Sequence, residues 1–125
     1  MPLIYVRRDE KIIRDDMIRA LVSALPEIIA DALTVPNSDG VLTRDDIEIR
    51  VSGIGPFDVS TKDLEVIIFA GDYPERKADL DQRKEKIIEG IKSLSSPGGM
   101  IETISGFVWI VLSPNSFGEF EALWD

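Results

Sequence analysis

Between Ile13 and Ala32 the apolar residues Ile13, Met17, Ala20, Leu21, Ala24, Leu25, Ile28 and Ala32 recur at helical spacing. A helix with such a stripe must lay it against another layer, and strand-like runs stand on both sides of it. Pro2 to Arg7 is apolar and rich in strand formers. After the turn chemistry of Thr34–Arg44, Ile47, Ile49 and Val51 alternate with Glu48 and Arg50, which predicts a second strand with one buried face. Pro26 interrupts the helical stripe. A proline lacks the amide donor and crowds the preceding turn, so a kink or split near Ala24 is expected.

The second half repeats the order. Leu64 to Ala70 is apolar almost throughout and reads as a third strand covered on both faces. Gly71 to Asp79 reads as a polar, irregular connection. Leu80, Arg83, Lys84, Ile87, Ile88, Ile91 and Leu94 mark a second helix of about five turns, ended by Ser95, Ser96, Pro97, Gly98 and Gly99. Phe107 to Leu112 is the fourth strand, and Phe117, Phe120 and Trp124 stand among acids in the tail. The fold class is therefore α/β (α+β): two β-α-β units, a sheet of at least four strands and two covering helices. At 125 residues this is expected to be a single domain spanning 1–125.

Composition limits the chemistry. The 125 residues include no cysteine and no histidine. Disulfides, thiolate nucleophiles, a Ser-His-Asp triad and the commonest metal ligands are excluded together. No metal and no cofactor is expected. With 14 basic against 23 acidic residues, the net charge is −9. This argues against nucleic acid and anionic membrane surfaces as partners. A small carboxylate would need a local arginine pocket. No apolar run reaches the roughly 20 residues of a membrane helix. The short apolar start followed by Arg7 and Arg8 is not a signal peptide, so a cytoplasmic location is expected.

Several residues invite a functional reading. Methionine ahead of proline is ordinarily removed, which would leave Pro2 as a secondary amine at the head of a strand. An α-amino group titrates near 7.7–8.0. Burial and neighbouring arginines disfavour its charged form, bringing it into the range of a general base at neutral pH. With Met1 retained, the same nitrogen is an amide and Pro2 is only a strand-start proline. Arg7, Arg44 and Arg50 are either solvated charges or carboxylate forks. Arg50 stands out because it lies within a strand. Phe107, Trp109, Phe117, Phe120 and Trp124 would line a pocket or pack strands and a subunit contact. Asn37-Ser38-Asp39-Gly40 is a turn rather than a calcium loop, since Val35 occupies the first ligand position. Gly53-Ile54-Gly55 lacks the third glycine and the helix of a dinucleotide loop.

The opening MPLIYV, the two β-α-β units and the ending FVWIVLSPNSFGEF together resemble the tautomerase superfamily, in its macrophage migration inhibitory factor and 5-carboxymethyl-2-hydroxymuconate isomerase types. The resemblance spans nearly the whole chain. It implies a homotrimer with sites at subunit edges, and an N-terminal proline, Pro2, as proton carrier. It also implies a substrate-binding arginine near the second strand. Glu48 stands at that place, with Arg50 two residues on and on the same face. Arg7 or Arg44, from the same or a neighbouring subunit, are further candidates, and the last-strand aromatic corresponds to Phe107 or Trp109. The implied activity is a keto-enol tautomerase acting on a small carboxylated compound. A hydratase or dehalogenase using the same proline, or a trimer of this fold without catalysis, are the alternatives.

Overall fold

The computed structural model describes residues 2–94 and 103–124. Strand β1 (Leu3–Arg8) leads into helix α1 (Asp15–Leu33), a 3-10 turn (Arg44–Asp46) and strand β2 (Glu48–Gly53). Strand β3 (Leu64–Gly71), the short helix α2 (Pro74–Ala78), helix α3 (Leu80–Lys92) and strand β4 (Gly106–Ser113) follow. The sheet order is β2-β1-β3-β4. Each β-α-β unit makes a parallel pair, β1 with β2 and β3 with β4, and the two units join antiparallel through β1 and β3. The resulting mixed four-stranded sheet carries its helices on one face.

The core explains the strand pattern. Ile4 and Val6 of β1, with Leu64, Val66, Ile68 and Ala70 of β3, point under the helices. They meet Leu21, Leu25, Ile29 and Leu33 of α1 and Ile87 of α3. Gly90 lets the two helices approach closely, since a Cβ there would lie 2.8 Å from Cγ2 of Ile28. Among the described residues no helix is long and apolar enough to cross a membrane.

Four expectations need correction. Of the two outcomes expected at Pro26, a kink or a split, the split does not occur: α1 is one continuous helix from Asp15 to Leu33. Leu25 and Ile29, both fully buried, flank the proline, and their packing outweighs its local penalty of about 3 kcal/mol. Strand β2 does not bury one face in this chain. Ile49, packed against the core, is only half-buried and Val51 is 44% exposed, because β2 is an edge strand of the sheet. Strand β3 is covered on one face, not two: Phe69 is 39% exposed and Ile67 half-buried. The connection 71–79 is not irregular throughout, for Pro74 opens α2 at a position where its missing N–H removes no helical bond. The second helix, α3, ends at Lys92, and the proposed stop at Ser95–Gly99 lies outside the described residues.

Candidate active site

The register places Pro2 among named neighbours. Leu3 pairs with Glu48 on one side and Phe69 on the other, so Pro2 stands one step further out on the central strand. Pro2 is buried, and its carbonyl accepts the Glu48 N–H at 3.2 Å. The ends of the other strands converge at the same edge of the sheet. The turn Arg44–Asp46 feeds into β2 there, while Gly71 and Ser113 pair where β3 and β4 finish.

The turn after β3 supplies residues that sequence reasoning missed. The Tyr73 N–H donates to the Gly71 carbonyl at 3.2 Å, folding the chain tightly around Asp72. A Cβ on Gly71 would sit within 3.3–3.6 Å of Tyr73, Asn115 and Arg76, so all three crowd the end of β3. Arg76 is 2% exposed. Its Nε donates to the Leu33 carbonyl (2.8 Å), and its two terminal nitrogens donate to Gly71 (3.0 Å) and Gly40 (3.4 Å). The guanidinium lies over the Tyr73 ring, 4.7 Å from its centre. Burial lowers its pKa below the ordinary value; Tyr73 opposes that shift and Arg83 adds to it. This buried cation meets carbonyl oxygens rather than a carboxylate and ties α1, its following loop and β3 together behind the site. The signal available in the sequence was Pro74-Glu75 as the first turn of a helix.

The sequence candidates divide by position. Arg50 pairs with Tyr5, three residues along from Pro2, or about 10 Å at strand rise. Its guanidinium reaches back to Glu48 (3.4 Å), toward the Pro2 end, and the side chain is 60% exposed. Arg44 is exposed on the turn before β2, at the Pro2 edge, and has no ion-pair partner among the described residues. Arg7 lies at the other end of β1, about 17 Å from Pro2, with its guanidinium held by Asp58 and Glu65. Phe107 pairs with Glu65 at that same far end. Within one chain, Arg7 and Phe107 therefore do not join Pro2. Trp109 shares the row Arg50–Tyr5–Ile67–Trp109 on the helix-free face and is 60% exposed. The segment 37–40 is a plain turn: Asn37 takes a positive φ of 61°, and Ser38 Oγ accepts the Gly40 N–H.

Solved structures share this fold. An FG41 malonate semialdehyde decarboxylase inhibited by 3-bromopropiolate matches with a TM-score of 0.59 at 18% identity, over 94% of this chain and 89% of that one. N1, a member of the cis-3-chloroacrylic acid dehalogenase family, matches at 0.52 and 14%, over 94% and 81%. A fused 4-OT asymmetric trimer matches at 0.51 and 16%, over 94% and 91%. The chain has the tautomerase-superfamily fold. No protein-family model matches the sequence, and no curated protein matches it significantly. At these identities the likeness concerns architecture, and the tautomerase-fold architecture is what the sequence resemblance led one to expect. Among these neighbours the fused 4-OT is a trimer.

Proposed function

We propose that the chain, once Met1 is removed, is a tautomerase-type enzyme of small carboxylated enol or keto compounds, with Pro2 as the proton carrier. One observation carries this reading: in a tautomerase fold, Pro2 is buried at the head of the central strand, where the ends of all four strands meet. The prolyl nitrogen takes the proton of an enol hydroxyl, the carbonyl forms, and the resulting ammonium returns a proton to carbon. Arg50 grips the substrate carboxylate by leaving Glu48, and Arg44 adds a second positive charge at the same edge. Both draw electron density toward the carboxylate as charge moves.

The helix-free sheet face supports an assembly of identical chains, a homotrimer in this reading. Tyr5, Phe69, Ile67 and Trp109 form an apolar surface that water would otherwise cover. A neighbouring copy could then bring Arg7, Phe107 or Trp109 to a Pro2 site. A second reading follows from the decarboxylase and dehalogenase among the structural neighbours. The same amine and arginines would serve decarboxylation, hydration or dehalogenation of a short acid.

The test compares the chain beginning at Pro2 with one that keeps a residue ahead of it. Ketonisation of a phenylenolpyruvate-type or 2-hydroxymuconate-type acid is expected only from the free amine. Release of carbon dioxide or halide from short acids, with no ketonisation, favours the second reading. Equal rates from free and blocked chains, or none above buffer, make Pro2 structural and favour a non-catalytic trimer.

A further inference from the structure

Asp72 holds the one feature at this edge that packing leaves unexplained. Its Oδ2 meets Lys77 Nζ at 3.0 Å, while its Oδ1 is shielded from water and accepts no hydrogen bond. A buried carboxylate oxygen without a donor is costly, and such oxygens call for a reason. The turn closed by the Tyr73 N–H to the Gly71 carbonyl fixes where this carboxylate sits. The antiparallel register then says what it sits beside. Phe69 pairs with Leu3, so the continued register brings Ala70 opposite Pro2, and Asp72 follows two residues on, in the turn just after the last residue of β3.

We infer that Asp72 is a positioning residue for Pro2, its free oxygen accepting an N–H of the prolyl ammonium. This rests on the proton-carrier reading of Pro2 and adds a partner to it. A secondary ammonium carries two N–H donors, and one carboxylate acceptor would fix which of them faces substrate. The negative charge also favours the protonated amine. It therefore helps Pro2 hold the proton between its removal from oxygen and its return to carbon. Lys77 tempers the effect by sharing the carboxylate. The other charged and titratable groups at this edge include the Glu48–Arg50 pair and Arg44, Asp45 and Asp46 of the turn on the β2 side, Arg76 bound to carbonyls, and Tyr73 beneath Arg76. None is altered in the variants below.

The test is Asp72→Asn in the chain beginning at Pro2, with the prolyl amine followed by nitrogen-15 NMR as pH is varied, and with the pH profile of kcat/KM. The amine should lose its proton at a pH lower by about one unit or more, in both measurements. Lys77→Ala should move it the other way, since Asp72 then loses its competing cation. An NMR titration that shifts while no enol acid turns over keeps the Asp72 contact and removes the catalytic reading of Pro2. An active Asp72→Asn enzyme with an unmoved prolyl titration overturns the Asp72 inference and leaves Pro2 standing. Should Asp72→Asn fail to fold, the Asp72 carboxyl carbon is titrated in the unaltered chain with Pro2 free and with Pro2 acylated. The free amine should hold that carboxyl at lower pH, and identical titrations overturn the contact.

Discussion

Removing Arg76 should unfasten the edge of the sheet on which Pro2 stands. Its guanidinium makes two well-formed bonds, to the Leu33 carbonyl at 2.8 Å and the Gly71 carbonyl at 3.0 Å, and a long one to Gly40 at 3.4 Å. Hydrogen bonds to a charged donor are worth about 1.5–3 kcal/mol each, so the two good ones sum to about 3–6 kcal/mol. Against this stands the desolvation of the cation, the same effect that lowers its pKa. The net loss expected for Arg76→Ala is about 2–4 kcal/mol, a large share of the 5–15 kcal/mol usual for a domain. In urea, with a slope of about 2 kcal/mol per molar for a domain of this size, the midpoint should fall by roughly 1–2 M at a fixed protomer concentration. Arg76→Lys keeps the charge but cannot span three carbonyls from one ammonium. It should lose at least about half as much. A loss below about 1 kcal/mol for Arg76→Ala, or full stability in Arg76→Lys, would refute the view that the forked geometry holds this edge together.

Gly106→Ala should destabilise by about 1–3 kcal/mol, because its Cβ would lie 2.7 Å from the Leu64 carbonyl oxygen across the β3–β4 pair. Gly118→Ala, which meets nothing within 4 Å, should stay within about 0.5 kcal/mol in the same denaturation assay. Trp109→Glu puts a charge on the helix-free face and should dissociate the assembly in sedimentation velocity without changing the circular dichroism. A wild-type chain already monomeric at micromolar concentration contradicts that reading. The ketonisation rate should rise through one ionisation at a pH below about 7.7–8.0, the ordinary α-amino range. Pro2→Ala, which keeps a primary amine, should slow the reaction without abolishing it.

Local pattern determined the order of the main helices and strands. The apolar spacing from Ile13 to Ala32, the alternation around Ile49 and the run Leu64–Ala70 establish helices and strands because each period matches one backbone geometry. Pro2 could be marked as a candidate for the same local reason, since removal of Met1 would leave its nitrogen a secondary amine. What a neighbouring element decides was not legible. Pro26 passes unbroken because Leu25 and Ile29 are locked into the core. The apolar run of β3 marks one face under helices and another left open, and sequence cannot say whether the second cover comes from the same chain or another. The arginines show this most clearly. Arg7 and Arg50 look alike as strand cations, yet register carries Arg7 to Glu65 and Asp58 at the far end and turns Arg50 toward Glu48. Arg76 and Asp72 drew no notice in a polar stretch. Their burial comes from the Gly71–Tyr73 turn and from carbonyls more than thirty residues away, and such contacts exist only once the chain has closed on itself.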